Sequence, residues 1–569
     1  MWKIKGVAAS PGIAIGPVFF FRKSAIALSR RHVIDTTAEI NRLNLALATA
    51  KQELAAIAHS AVEKVGQDQA RIFEAQLLFL EDPELLGKVK QTITTEQVNV
   101  EYAWNNAITH YTQLLSQMEN EVFSARSADI QDVGHRVLAI LTGQSKNILH
   151  PPHPSIILAE DLSPTDTINL ERGKALAFAT ALGGPTSHVA ILSKALGIPC
   201  VVGLGIELHH IPDNTTVIVD GSSGEVIIEP AQDILAEFHT KINALRDREK
   251  QASASAFQPA VTRDGKRMEV AANIGSLEDV AKAVQLGADG VGLFRTEFLF
   301  LNRENPPSET EQIALYRSIF QMMGNLPIVV RTLDIGGDKP APYLSLPPES
   351  NPFLGLRGLR LCLQNQALFE SQLRALLQAG AGFDLRIMFP MVSSIEEIHS
   401  ALARLEKVKN ALQQEKASIA EQLQVGIMVE VPSIALLAGK AAPLVDFFSI
   451  GTNDLAQYTM AADRTNPSVA GLADAFHPAV LKLIHSVILA AHRHHRWVGL
   501  CGEFAGDLLA TPLLLGLGLD ELSVSPQLIP LVKESIRRFS LPEAQTITKR
   551  ALQMQDARQV REYLIKFHL

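Results

Sequence analysis

The chain has 569 residues, 47% apolar and 20% charged, and its 52 basic against 60 acidic side chains leave a net charge of −8. That length exceeds what one core serves and predicts roughly three or four domains, while a mildly acidic balance with no basic run argues against nucleic-acid binding. No apolar stretch of about 18 residues offers a membrane span, the opening MWKIKGVAASPGIAIG lacks a signal-peptide core, and three scattered cysteines (Cys200, Cys362, Cys501) suit a reducing cytoplasm.

VAASPGIAIGPVFFF reads as strand, so residues 1–22 are expected to join residues 145–230 across an insert. The insert, 23–144, reads helical. Thr36-Thr37-Ala38-Glu39 has the form of a capping box. Ile40, Leu43, Leu47, Ala50, Leu54, Ile57 and Ala61 then alternate steps of three and four, a seam for packing on other helices. In ARIFEAQLLFLEDPELL, Phe73, Leu77 and Leu80 form one stripe and Ile72 and Phe79 another. That pattern fits a helix buried on two faces or one with an exposed docking surface. A third helix is expected near 100–118, and a fourth, ADIQDVGHRVLAILTG, stops at Gly143. Together they predict a small bundle.

Short β-type runs follow at Ile156–Leu158, Ala175–Phe178, Cys200–Val202, Thr216–Val219 and Val226–Ile228, with a turn over Asp220–Gly224. Residues 231–259 are polar and helix-like to about Lys250, then Ser/Ala-rich from Ala252, and are expected to be a linker. From 260 to 569, eight apolar runs alternate with helical stretches: MEVAANIG, GVGLFRTE, PIVVRTLDIGG, LRIMFPMV, VGIMVEVPS, FFSIGTNDL, WVGLCGEF and ELSVSP. This rhythm predicts a closed (β/α)8 barrel, with an open doubly wound sheet as the alternative.

Barrel chemistry gathers where strands end. The strand ends carry Asn273, Arg295 with Glu297, Arg331 with Asp334, Glu430, Asn453 with Asp454, and Cys501 with Glu503. Arginine forks suit phosphate or carboxylate oxygens, and two carboxylates with substrate oxygens and water suit Mg²⁺. A small phosphorylated carboxylic acid held with a divalent ion fits this inventory. Cys501 reads equally as a small buried hydrophobe or as a proton donor to an enolate.

GGPTSHVAILSKALGIP places His188 on the first turn of a helix that Thr186 or Ser187 can cap, with Val189, Leu192 and Leu196 facing a core. The positive end of the helix dipole disfavours an imidazolium and favours an attached phosphoryl group. A histidine nucleophile on one domain and a phosphoester site on another describe a swivelling carrier. His492, His494 and His495 in AHRHHRW are expected on an exposed helix end without chemistry.

Over essentially its whole length the chain resembles enzyme I of the bacterial sugar phosphotransferase system, through SPGIAIG, GGPTSHVAILSKALGIP, GVGLFRTE, RTLDIGGDKP, NPFLGLRGLR, MVEVPS, DFFSIGTNDLAQY, GLCGEFAGD and GLGLDELSVS. The resemblance implies a multidomain α/β enzyme: a swivelling phosphohistidine domain (1–22 and 145–230), an inserted helical domain (23–144) that docks a small histidine-containing phosphocarrier protein, a linker (231–259), and a phosphoenolpyruvate-binding (β/α)8 barrel (260–569). It implies that His188 takes the phosphoryl group of phosphoenolpyruvate, that Arg295, Arg331, Asn453, Asp454 and Arg464 contact substrate, and that Glu430 and Asp454 hold Mg²⁺. Arg357 and Lys339 support these by position, and Cys501 protonates the enolate on its way to pyruvate. It implies a cytoplasmic homodimer formed through the barrel. Pro185, Val189 and Gln76 depart from the housekeeping sugar enzyme's pattern, Gln76 standing where many members carry a histidine. Two other functions suit parts of this pattern. One is a regulatory paralogue with negligible transport flux; the other, a pyruvate-to-phosphoenolpyruvate synthase relative, lacks room for a nucleotide-binding domain.

Overall fold

The structure is a computed structural model, described for all residues except 23–27, 66, 117–120, 144–148, 169, 171–172, 185–186, 302, 337–342, 345–348, 465 and 568–569, and without the side chains of 62–65, 67–71, 116, 121–128, 467 and 468. It divides into two compact units, Met1–Leu245 and Arg246–Leu569.

In the first unit, the opening segment is three strands, Trp2–Lys5, Val7–Ser10 and Ile13–Phe21. Gly6 and the Pro11-Gly12 pair interrupt what reads as one run, because proline withholds a ladder donor and Gly12 turns at φ 119°. These strands join Ser155–Ala159, Ala175–Thr180, Cys200–Val202, Thr216–Asp220 and Glu225–Ile228 in one eight-stranded mixed sheet. The parallel centre runs from Ile13–Phe21 through Ser155–Ala159 and Ala175–Thr180 to Cys200–Val202. Ser155–Ala159, Ala175–Thr180 and Cys200–Val202 are buried on both faces, as parallel strands are, while Ile13–Phe21 alternates buried and half-buried residues.

The insert is five helices: Thr36–Val65, Gln67–Phe79, Pro83–Glu96, Val100–Ser116 and Glu121–Thr142. The expected seam is its core: Leu43, Ala50, Leu54 and Ala61 are fully buried around Trp104. Two expectations fail locally. The first helix is capped by the Asp35 carboxylate, which accepts from the Ala38 amide at 2.9 Å, and not by a Thr36–Glu39 box. Glu39 instead accepts from the Val100 amide at 2.7 Å and pairs with Arg42, tying two helices together. The stretch 70–86 is also two helices, since Asp82 caps a new one that begins at Pro83; proline at the first helical position is a start signal. Phe73 and Leu80 are buried and Ile72, Leu77 and Phe79 partly so, while Leu78 stands exposed between them.

The expected linker is a helix, Gln232–Ala254. Its Ser/Ala end is ordered: Ala252 is buried, and Arg537 donates to the carbonyl oxygen of Ser255 at 2.9 Å. Of the alanines there, Ala252 and Ala256 are packed inside while Ala254 is exposed.

The second unit is a closed parallel barrel of eight strands: Arg267–Ile274, Val291–Arg295, Ile328–Arg331, Leu385–Phe389, Leu423–Val429, Phe447–Ile450, Trp497–Leu500 and Glu521–Val524. The last pairs with the first, Glu269 opposite Glu521, and the first with the second, so no edge is left. All eight match the apolar runs, and the open-sheet alternative falls. Leu293, Val329, Met388, Met428, Phe447 and Cys501 pack the interior. Gly426 has no side chain because a Cβ there would lie 2.5 Å from the Phe447 ring, which stacks on Trp497 with centroids 4.4 Å apart.

Candidate active site

His188 is the first residue of the helix His188–Leu196. Ser187 occupies the cap position with extended backbone, but its hydroxyl makes no capping bond and is buried without a partner among the described residues; Thr186 and Pro185 lie outside the described residues. The helix is anchored by Val189 and Leu192, both buried, with Leu192 reaching the core of the helical insert. His188 remains 24% exposed, enough for a reactant to reach it. Its Nδ1 lies 4.0 Å from Oδ1 of Asp129, on the helix Glu121–Thr142. That same oxygen accepts from the buried Gln76 amide at 3.2 Å. Gln76 therefore faces inward, toward the surroundings of His188.

In the barrel unit, the strand ends hold an alternating set of charges. Arg331 Nη2 lies 2.9 Å from Glu297 Oε1 and its Nη1 3.3 Å from Asp334 Oδ2. Arg357 Nη2 lies 3.0 Å from Asp334 Oδ2 and its Nη1 3.3 Å from Asp454 Oδ1. Arg464 approaches Asp454 at 3.7 Å. All but Arg464 are buried, and neighbouring carboxylates outweigh burial to hold both buried guanidinium groups above their ordinary values. Glu430 accepts from the Met391 amide at 2.8 Å, and Gly451 carries no Cβ because one would lie 2.7 Å from Glu430 Cγ. Asn453 Oδ1 accepts from the Glu503 amide at 3.4 Å. Arg295, by contrast, ends its strand exposed, with no ion pair or hydrogen bond from its guanidinium to another described residue. Arg331 Nε is buried without an acceptor among the described residues. Both arginines thus have donors to offer an incoming anion.

Cys501 is buried beneath this set; the Ser449 hydroxyl donates to its Sγ at 3.2 Å. Burial pushes the thiol up to about 12, so it keeps its proton at neutral pH. Lys339 lies outside the described residues. His492 Nε2 lies 2.8 Å from Asp520 Oδ2, which accepts from it, on an exposed helix end. Sequence reasoning missed Asp129 altogether.

The profile of the PEP-utilising enzyme, PEP-binding domain, matches residues 249–541, that of the PEP-utilising enzyme N-terminal region 5–126, and that of the mobile domain 151–224. A phosphoenolpyruvate-protein phosphotransferase of Geobacillus stearothermophilus is 46% identical over 560 residues, covering 98% of this chain and 96% of its own. One of Bacillus subtilis (strain 168) is 44% identical over 566 residues, 98% of each chain. This chain is a member of the phosphoenolpyruvate–protein phosphotransferase family. As in its sequence, no helix among the described residues is long and apolar enough to cross a membrane.

The phosphotransferase's strand-end cluster is rich in acid: Glu297, Asp334, Glu430 and Asp454 face two buried arginines. Burial, then the Asp454 and Asp334 charges, push Glu430 up to about 8. A divalent cation would relieve that repulsion, and hard carboxylate oxygens fit Mg²⁺. No trio of metal-ligating side chains occurs among the described residues, so an ion there would complete its shell with substrate and water oxygens. A carboxyl whose folded value lies above its unfolded one binds a proton on folding. It therefore favours the fold below about pH 4.5 and opposes it as pH rises to about 8. The metal-free enzyme's thermal midpoint is expected to fall across that window, and Glu430→Gln to flatten the fall. Added Mg²⁺ with phosphoenolpyruvate should stabilise more at the upper end, where no proton competes. Scanning calorimetry at several pH values checks this; a midpoint rising from pH 5 to 8 would refute it.

Proposed function

We propose that this phosphotransferase moves the phosphoryl group of phosphoenolpyruvate to its own His188, releasing pyruvate, and then to a histidine of a small phosphocarrier protein, the first step of phosphotransferase-system sugar uptake. The carrying observation is a part-exposed histidine heading a well-anchored helix in one unit, in a chain whose other unit closes a barrel around buried arginines and carboxylates. Residues 1–22 and 145–230 serve as the phosphohistidine domain, 23–144 as the carrier-docking domain, 231–259 as the connection and 260–569 as the substrate barrel. The family resemblance further supports a cytoplasmic homodimer joined through the barrel.

Arg295 and Arg331 bind the phosphate, Arg464 and Asn453 orient the substrate, and Arg357 holds Asp454 and Asp334 in place. Glu430 and Asp454 would hold Mg²⁺. When bound, the ion draws charge from the phosphate and enol oxygens. Nδ1 of His188 stands beside Asp129, leaving Nε2 as the attacking nitrogen. The N–P bond forms as the enol O–P bond breaks. Cys501 then delivers its proton to C3 of the enolate, completing pyruvate.

Incubation with phosphoryl-labelled phosphoenolpyruvate and Mg²⁺ should place label on the chain with an equal amount of pyruvate. The label should then pass to a histidine-containing carrier chosen from a small panel. Pyruvate formed without label on the chain, or label that leaves for no carrier, would defeat this reading.

A further inference from the structure

One enclosed acid has no part in the scheme above. Glu521 opens the last barrel strand, at the end opposite the arginine cluster, and is 4% exposed. Its carboxylate forms no ion pair or hydrogen bond with any described residue. Two glycines make its room: a Cβ on Gly292 would lie 2.4 Å from Oε1, and one on Gly499 3.0 Å from the same oxygen. The strand register gives this arrangement a direction. Ser449 pairs with Gly499, and Gly499 with Glu521. Ser449 and Glu521 therefore stand two strands, roughly 10 Å, apart along the backbone, and the position between them has no side chain. The Ser449 hydroxyl in turn donates to Cys501 Sγ at 3.2 Å. On the other side, the Ser523 hydroxyl lies 2.6 Å from the same Gly292 Cβ position. It donates to Asn273 at 2.7 Å, and Asn273 donates to the Cys501 carbonyl at 3.0 Å. Polar groups thus line the barrel interior from the space around Glu521 to the thiol, with the side-chain-free position at Gly499 between Glu521 and Ser449.

A thiol that has protonated an enolate is left as a thiolate, in surroundings where burial opposes that charge. It needs a proton before the next turnover. We propose that Glu521 is the proton source for Cys501, delivering through the Ser449 hydroxyl across the gap at Gly499; this rests on Cys501 being the group that protonates the enolate. The Cys501 S–H bond breaks as the C3–H bond forms. The thiolate takes the Ser449 hydroxyl proton, the Ser449 oxygen takes one from a water in the space that Gly499 leaves, that water takes the Glu521 carboxyl proton, and Glu521 is recharged by water at the strand-start end. Nothing is oxidised or reduced. Burial, then the Glu269 charge on the adjoining strand, push the Glu521 carboxyl up to about 8, with Asp289 and Asp520 adding and Arg386 opposing. The acid therefore carries a proton at neutral pH.

The test measures pyruvate formation by the full-length enzyme with carrier, in H₂O and D₂O, from pH 6 to 9. Glu521→Gln and Ser449→Ala should each lower kcat roughly tenfold to a hundredfold with little change in KM. The double variant should be no slower than the worse single one, and the solvent isotope effect should grow. The wild-type kcat should decline near pH 8, and that decline should vanish in Glu521→Gln. Unchanged kcat in a Glu521→Gln enzyme that binds phosphoenolpyruvate normally overturns the proposal, as do additive losses in the double variant. If Glu521→Gln does not fold, Ser449→Ala decides alone, and a wild-type rate and isotope effect overturn it. Cys501→Ala separates the two levels. A wild-type rate there removes the underlying reading, whereas a slow Cys501→Ala beside fast Glu521→Gln and Ser449→Ala removes only the relay.

Discussion

His188→Ala is expected to retain no detectable phosphorylation by phosphoenolpyruvate and to transfer nothing to carrier, a loss of more than about four orders of magnitude. The covalent intermediate needs a nitrogen lone pair at this place, and general substitution cannot supply one. The change should leave the fold intact. His188 is 24% exposed and, among the described residues, makes no hydrogen bond from its ring, only the 4.0 Å approach to Asp129. The helix behind it is held by Val189 and Leu192, which the substitution does not touch. A stability change within about 0.5 kcal/mol is therefore expected, with phosphoenolpyruvate binding to the barrel unit preserved. Labelling followed by gel autoradiography reads the first effect, and thermal unfolding and calorimetric titration the second. Label persisting on the alanine variant would place the acceptor elsewhere.

The reason His188 could be found in the sequence differs from the reason Asp129 could not. GGPTSHVAIL carries its own local meaning: glycines that turn, a cap position, then apolar residues at helical spacing. Gly183 does adopt φ 99° and the helix does start at His188. Asp129 belongs to a different helix, some sixty positions away, and reaches His188 only because the insert packs on the sheet domain. No local pattern encodes that meeting. The barrel tells the same story. Eight buried strands are legible because parallel strands covered on both faces read as continuous apolar runs, and strand ends follow from those runs. The partnering of the charges there was not legible. Arg295 and Arg331 look equivalent in GVGLFRTE and PIVVRTLDIGG, yet one is exposed and the other clamped by Glu297 and Asp334. Glu521 was likewise hidden, because ELSVSP reads as an ordinary strand and the glycines that house its carboxylate lie in two other strands. Caps failed for a related reason. Glu39 satisfies the rule for a box, but a tertiary acceptor role at Val100 competes for it, and Asp35 was free to cap.

That inequality between the two arginines predicts opposite outcomes for the same substitution. Arg295→Met should reduce kcat/KM for phosphoenolpyruvate by roughly a hundredfold or more, since a charge-assisted phosphate contact is lost, while the thermal midpoint stays put. Its guanidinium is exposed and unpaired among the described residues, so no described ion pair or hydrogen bond is lost with it. Arg331→Met should lose at least as much activity and also destabilise the barrel by about 3–5 kcal/mol, the usual consequence of stranding buried carboxylates. Glu297 and Asp334 are 4% and 2% exposed, and removing the 2.9 Å and 3.3 Å contacts leaves both short of a counter-charge. Asp334 keeps Arg357 as its second partner at 3.0 Å, so Glu297 bears most of the cost. It follows that Arg331→Met combined with Glu297→Gln should regain stability without regaining activity, because neutralising the stranded acid repairs the fold and not the phosphate site. Denaturant unfolding of the three variants beside steady-state kinetics reads both quantities. If Arg331→Met unfolds at the wild-type midpoint, the buried charge network does not hold the strand ends as described; if the double variant recovers turnover, Arg331 does not bind the phosphate.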